Sequence, residues 1–455
     1  LPLTTFVMIN LKFLNIIFVV CFNVNVFSQG NFVIQNGKST KIHFRLVNNL
    51  IVFPVTINGV DLSFLLDTGV SKPIIFNFFN LKDELSIHKT ELNHIQGLGT
   101  DAPIESLRST NNTISIGEAV NLNQDLFAII DASINFVPSL GIPIHGIIGY
   151  DIFKDFVVEV NYTRKFIKLY NHNYYTQKFS NKWRQLPLKF YNKKPITEAA
   201  VFMGNKEIPV NLLIDTGGSD AIWLFEDSTQ SISIPNNTFD DFLGKGLSGT
   251  IFGKRAVLES FRLSDFSLDD INVAFPDDSS VQKEKIHALR NGSLMGGVTH
   301  RFNWVFNYKS QWVAFKKNNY FNKSFKYNKS GVVMQYAGVR LVKTLSETPD
   351  LTAPNSSSQS SNAISFSSSY KFEIVPELVI SDIRLSSPAA LAGLKIEDVV
   401  ISINNQNLSS LTLQKAIEQF YGADGKRIKM IVERDGVLMK FQFRLQDLLH
   451  KKSTN

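Results

Sequence analysis

Phe64-Leu65-Leu66-Asp67-Thr68-Gly69-Val70-Ser71 returns 148 positions later as Leu212-Leu213-Ile214-Asp215-Thr216-Gly217-Gly218-Ser219. In each copy an apolar run ends on an aspartate, so a strand would carry a carboxylate into the interior, where an unpaired charge is costly. A single Asp-Thr-Gly is explained by a surface turn; a second copy behind a second apolar strand is not. Further landmarks keep the same order. Gly97-Leu98-Gly99 is answered by Gly246-Leu247-Ser248-Gly249 at an offset of 149, Ile147-Ile148-Gly149 by Leu294-Met295-Gly296 at 147, and Asn161-Tyr162 by Asn307-Tyr308 at 146. Residues 45–318 therefore hold a duplicated fold.

Around this repeat the chain has 455 residues, and at roughly 100–200 residues per domain it holds two to four domains. With 44% apolar and 19% charged residues it can bury large cores, which excludes a mainly disordered, collagen-like or coiled-coil chain. The formal charge is +7, but no long basic run or nucleic-acid module accompanies it, so no nucleic-acid partner is expected. Short β-branched and aromatic runs at 51–57, 61–66, 156–160, 166–170, 210–214 and 304–307 read as strands. Long amphipathic helices are missing, which predicts an all-β pair of lobes. The eight histidines form no His-Glu-x-x-His pattern and no Gly-x-Ser-x-Gly elbow occurs, so neither a metal site nor a serine nucleophile is expected. Trp223 and Phe225, just beyond the second loop, read as core.

Residues 45–318 resemble the pepsin/retropepsin class of aspartic proteases, in the two Asp-Thr-Gly loops and in the apolar-apolar-Gly segments near Gly149 and Gly296. The short lobes suggest two retropepsin-like halves fused in one chain. The resemblance implies a bilobal retropepsin-like β-barrel fold in which Asp67 and Asp215 share one proton, because two close carboxylates cannot both ionise cheaply. One would take a proton from water and the other would hydrogen-bond to the scissile carbonyl, with no metal, cofactor or covalent intermediate. It also implies supporting roles for Thr68, Gly69 and Ser71 and for Thr216, Gly217 and Ser219. Thr68 and Thr216 would bond across to the opposite loop, and Gly69 and Gly217 would aim N–H groups at the carboxylates. Gly97, Gly99, Gly246 and Gly249 would lie in hairpin flaps over an extended peptide. Val70 and Gly218 stand where pepsin-like enzymes place a hydroxyl that lowers the neighbouring carboxylate's pKa, so a mildly acidic optimum is expected.

The ends carry two further expectations. Lys12 and the apolar stretch 13–22 read as a secretory signal over residues 1–29 of a bacterial-type chain, which predicts a secreted or periplasmic product with no transmembrane segment in the mature chain. The single cysteine, Cys21, lies within it. Near the other end, Ser387-Pro388-Ala389-Ala390-Leu391-Ala392-Gly393-Leu394 followed by Glu397-Asp398-Val399-Val400-Ile401 resembles the PDZ domains of HtrA-type envelope proteases. This implies a helical turn at 389–394, a strand at 399–403 and a helix at 411–420 beside a peptide groove. Tyr336, Ala337, Gly338 and Val339 would form the loop that receives a ligand's carboxylate. The expected organisation is an N-terminal lobe at 30–175, a C-terminal lobe at 176–318, a solvated lysine-bearing linker at 319–330 and a PDZ domain at 331–447, with a disordered serine-rich insertion at about 346–370. The expected partners are peptide or unfolded protein substrates and a peptide ligand of the PDZ groove. The expected function is an aspartic endopeptidase; the alternative is a catalytically weak peptide-binding scaffold of the envelope.

Overall fold

A computed structural model describes residues 30–449, except 36, 79–80, 82–84, 100, 177, 205, 282–289, 350–365 and 408–410. The expected leader and most of the serine-rich stretch lie outside the described residues. Each lobe is built on one hairpin that delivers an aspartate. In the first, strand Leu50–Ile57 pairs with Val60–Leu66 across Asn58-Gly59, whose positive φ values of 49° and 91° suit a tight two-residue hairpin turn. In the second, Lys194–Met203 pairs with Lys206–Ile214.

A short strand then runs parallel to the end of each hairpin. Gly146–Ile148 lies beside Phe64, Leu65 and Leu66, and Gly292–Leu294 beside Leu212, Leu213 and Ile214. This pairing corrects the equivalence read from the glycines. Ile148 O accepts from Asp67 N at 3.0 Å and Leu294 O from Asp215 N at 2.9 Å, so Ile148 corresponds to Leu294 and Gly149 to Met295, one position away from Gly296. Main-chain register, which a side-chain pattern does not record, sets the match.

The lobes share a sheet. Six strands, three from each half, run in the order Arg184–Pro187, Trp312–Lys317, Phe302–Asn307, Phe156–Asn161, Phe166–Asn171, Ser39–His43, and the halves meet where Val157 faces Asn307 and Val160 faces Trp304. The strands expected at 51–57, 61–66, 156–160, 166–170, 210–214 and 304–307 all lie within observed ones. Beneath the shared sheet, Phe302 meets Phe315 edge-on at 5.5 Å and Phe321 at 5.4 Å. Trp304 stacks on Phe306 at 5.7 Å and spends its one polar group on Thr299 O at 2.7 Å, as a buried indole must.

The segment 319–330 is only in part the solvated linker its lysines suggest: Lys323 and Lys326 are exposed, but the chain between them and beyond is anchored. Phe321, Tyr327 and Ser330 are buried, the Arg301 guanidinium donates to the carbonyls of Tyr320, Phe321 and Lys323, and Lys329 pairs with Asp447 at 2.7 Å. Lys317 and Lys323 lie over the rings of Phe321 and Tyr320 at 3.9 and 4.8 Å. The cationic heads sit on aromatic faces, so the run reads as basic while being packed.

The C-terminal domain has its own sheet, with Val332–Pro349 at one edge, then Phe366–Ile383, Val399–Ile403, Arg427–Arg434 and Val437–Arg444. Ser387 caps the turn Pro388–Leu391 through Ala390 N at 3.3 Å, with proline at the first position, where its missing N–H is harmless. Asp398, almost fully buried, is held by Arg434 at 2.6 and 2.8 Å and by Lys395 N at 2.9 Å, the bidentate pairing a buried carboxylate needs. The helix spans Leu413–Glu418 and continues as a tighter turn through Gln419–Tyr421. Two expectations are corrected here. Residues 336–339 do not form a loop: they sit inside Val332–Pro349 as a bulge between Tyr336 and Gly338, with Gly338 at φ 143° absorbing the extra residue. The parts of the serine-rich insertion at 346–349 and 366–369 are paired strands.

The shared sheet yields a stability prediction. Phe315→Ala should cost about 3–5 kcal/mol in denaturant unfolding, whereas Lys316→Ala on the same strand should change the midpoint little; equal effects would show that the aromatic layer does not hold the lobes together.

Candidate active site

The hairpins place Asp67 and Asp215 at the line between the lobes, and what fixes them there is a crossed set of hydrogen bonds. Thr68 Oγ1 donates to Ile214 O at 2.5 Å and accepts from Thr216 N at 3.1 Å. Thr216 Oγ1 donates to Leu66 O at 2.7 Å and accepts from Thr68 N at 3.1 Å. Both threonines are fully enclosed, so each hydroxyl satisfies buried main-chain groups of the opposite lobe. Gly69 N donates to Asp67 Oδ1 at 2.7 Å and Gly217 N to Asp215 Oδ1 at 3.0 Å. The glycines are also needed for room. A Cβ on Gly217 would overlap the Asp67 carboxylate, and one on Gly69 would lie 3.0 Å from Asp67 Oδ1. Thr68, Gly69, Thr216 and Gly217 thus stand where the sequence places them. Ser219 contributes its carbonyl, which accepts from Asn49 Nδ2 at 2.9 Å; among the described residues neither the Ser71 nor the Ser219 hydroxyl bonds a carboxylate of the pair.

The two carboxyls are not equivalent. Burial, and then the charge of Asp215, push Asp67 up to about 7, with Gly69 N–H and Lys194 opposing. Burial also raises Asp215, but Arg290, the N–H groups of Gly217 and Gly218, and Lys194 all favour its charged form. Burial thus raises both carboxyls, and more groups favour the charged form at Asp215 than at Asp67. Val70 and Gly218 lack the hydroxyl of the resembled class, and Gly218 N–H gives Asp215 part of what such a group would supply. Lys194 and Arg290 escaped the sequence reading because neither belongs to a motif, Lys194 standing beside Lys193 at the start of a strand; the only hint is that Arg290 stands two positions before the strand Gly292–Leu294. Arg290 is aimed by Gly292 O at 3.0 Å and Ser293 Oγ at 2.5 Å, and burial pushes it down to about 10 against the pull of Asp215. Tyr308 is buried near the pair, and its hydroxyl has no hydrogen-bond partner among the described residues.

Gly97 and Gly99 lie at the tip of the hairpin Thr90–Ile95 and Ile104–Ile116, and Gly246 and Gly249 at that of Phe239–Gly246 and Gly249–Leu263. The two tips bond to each other. Gly97 N donates to Ser248 Oγ at 3.0 Å, Ser248 N to Leu98 O at 3.0 Å and Asp101 N to Ser248 O at 2.8 Å. A side chain on any of the four glycines would collide with the opposite tip or its neighbours. Each tip also sends a leucine into the other lobe: Leu98 packs with Trp223, Phe225, Leu243 and Met295, and Leu247 with the cluster of Val47, Leu50, Leu65 and Ile147. Trp223 and Phe225 are buried as expected, yet the cluster they form is the one that receives the opposite flap. Beside this closure lies a cavity of about 440 Å³ lined by Asp101, Ile104, Ile130, Ile134 and Leu247, which does not include Asp67 or Asp215.

An aspartyl protease family model matches residues 53–152, the segment from the first aspartate hairpin to the helix after Gly149. A PDZ domain model matches residues 379–434. The chain joins an aspartyl protease-type fold, completed by its internal repeat, to a C-terminal PDZ domain. No curated protein matches it.

The crossed threonines are testable without any substrate. Thr68→Ala leaves the Thr216 N–H and the Ile214 carbonyl buried without that partner and should destabilise the protein by about 1–3 kcal/mol. Thr68→Ser keeps both bonds and should restore most of the loss in thermal unfolding. Equal midpoints for the alanine and serine variants would deny the hydroxyl its role.

Proposed function

We propose that the protein is an aspartic endopeptidase that hydrolyses extended peptides or unfolded segments, with the PDZ domain docking peptides or partners, and that it acts outside the cytoplasm as a secreted or periplasmic protein. The observation that carries the reading is the facing pair of raised carboxyls, each bonded to the N–H of the glycine two residues on and locked by the crossed threonines. In this reading the ionised Asp215 takes a proton from a water molecule as its oxygen forms a bond to the scissile carbonyl carbon. Asp67 gives its proton to the carbonyl oxygen, which leaves a neutral tetrahedral diol. Asp215, now protonated, passes that proton to the amide nitrogen as the C–N bond breaks, and Asp67 recovers a proton from a diol hydroxyl as the new carboxyl forms. The pair ends with one proton, as it began. The flaps exclude water and press the peptide onto the pair.

A second reading, a catalytically weak peptide-binding scaffold, is favoured by one feature: the flap tips bond to each other and fill the opposite lobes' apolar clusters with their own leucines. Cleavage of a mixture of unfolded peptides separates the two. Asp67→Asn and Asp215→Asn should each lose nearly all turnover, and an inert wild type over the whole pH range would favour the scaffold.

The raised carboxyls set a pH signature. Asp67 must hold its proton, so cleavage should fall as pH rises through about 7 and fall again in acid as the second carboxylate protonates; a profile flat through pH 8 would contradict the shared proton. The same shift affects stability. Folded Asp67 binds a proton more tightly than the unfolded side chain, whose pKa is 3.8, so its contribution declines as pH rises from about 4 to about 7. Urea unfolding of Asp67→Asn should therefore lose less stability than wild type over that interval.

A further inference from the structure

The PDZ domain touches both lobes. On one side Arg384 reaches Asp241 in the C-terminal flap strand at 3.5 Å and lies over Phe239 at 4.2 Å, and Asp241 in turn pairs with Arg255 at 2.6 Å and through it with Asp220, just past the second Asp-Thr-Gly loop. On the other side a segment of the N-terminal lobe, 131–145, reaches the space between the edge strand Val332–Pro349 and the helix Leu413–Glu418. That space is where a PDZ domain takes an extended peptide, as an added strand beside an unpaired edge.

The segment is shaped for the position. Its single helical turn, Val137–Leu140, ends at Gly141 with φ 71°, which brings the chain against the PDZ domain with no side chain between. A Cβ there would lie 3.0 Å from the Tyr336 ring and 3.2 Å from Leu413 Cβ. The Gln414 side-chain amide donates to the Leu140 carbonyl, and Tyr336 Oη accepts from Leu413 N at 3.2 Å, joining strand and helix beneath it. The inner face of the same segment is part of the catalytic lobe's apolar wall: Leu140, Ile134, Phe136 and Ile142 pack in the cluster that receives Leu247 of the C-terminal flap. Lys245 of that flap donates to Ser133 O at 3.2 Å. One strap thus contacts the groove on its outside, the cleft wall on its inside and a flap at its end.

We propose that residues 136–142 are the resting occupant of the PDZ groove mouth, and that a peptide arriving there competes with them, releasing the strap and loosening the flap it holds. The proposal rests on the endopeptidase reading for its consequence but not for its contact. Because the strap is covalently tethered, it faces the groove at an effective concentration in the millimolar range for a flexible link, so only a peptide present in comparable excess or binding more tightly displaces it. Ligand binding and flap release are then one coupled equilibrium.

The test is hydrogen exchange on the full chain, with casein cleavage measured on the same samples. Gln414→Glu sets a carboxylate against the Leu140 carbonyl, and Gly141→Val ejects the strap from its own side while leaving the groove intact. Both should raise exchange several-fold at 136–142 and at the flap tip 245–248, with exchange at 428–432 in the PDZ core unchanged as the sign that the domain is folded. A millimolar excess of a synthetic peptide of residues 134–143 should do the same to wild type. Unchanged exchange at 136–142 in both folded variants overturns the latch, and an inert peptide overturns the competition. If exchange rises as expected while no sample cleaves casein at any pH, the latch stands and the endopeptidase reading falls.

Discussion

Everything in the protease part depends on four hydrogen bonds made by two threonine hydroxyls. Thr68 and Thr216 each give a proton to a carbonyl of the other lobe and take one from the other's N–H, in a place without solvent. Such bonds gain little over water in the unfolded chain but are costly to leave half made, so the arrangement tolerates only one relative placement of the two loops. That placement puts the carboxyls beside each other's glycine, aligns the strands behind them and brings the lobes to the distance at which Phe156–Asn161 and Phe302–Asn307 pair. The shared sheet and its aromatic layer supply the bulk of the burial; the threonines select which buried arrangement results.

Two loops that share Asp-Thr-Gly then acquire different chemistry from the next residue and from what lies around them. A perfectly symmetric pair would give its two carboxyls identical surroundings. Here Gly218 and Arg290 serve Asp215, while the position matching Gly218 on the other side is Val70. Carrying both halves on one chain permits this difference, and the groups that favour a charged carboxyl gather on the Asp215 side.

The fold was legible where the chain repeats itself. The Asp-Thr-Gly loops, the strands around them and the flap glycines were read from residue types whose backbone demands are local, and the structure places them accordingly. Reading failed where tertiary contact decides. The glycines at 149 and 296 invited an alignment that main-chain pairing shifts by one. Around the exposed lysines of 319–330, composition does not record that Arg301 holds the main chain of 320–323 or that Lys329 pairs with Asp447. Tyr336 to Val339 read as a loop because a strand able to continue through a bulge has the same glycine. Lys194 gave no signal and Arg290 only its place before a strand, since a cation outside any motif acquires meaning only from the carboxylates that the fold brings to it.

The flap leucines point to a constraint on how the cleft works. Leu98 and Leu247 fill apolar clusters of the lobes opposite their own, and the tips are tied by hydrogen bonds, so a peptide reaching the carboxyls has to displace contacts the protein already satisfies. In the proposed function, binding would then exchange apolar side chains for apolar side chains and hydrogen bonds between the tips for hydrogen bonds to the peptide, with only a small net gain from burial. In such a balance, contacts outside the cleft weigh heavily. The segment 131–145 and the Arg384–Asp241 pair are contacts of that kind: in the proposed function they would bias how readily the tips separate without touching the carboxyls, and both reach the PDZ domain.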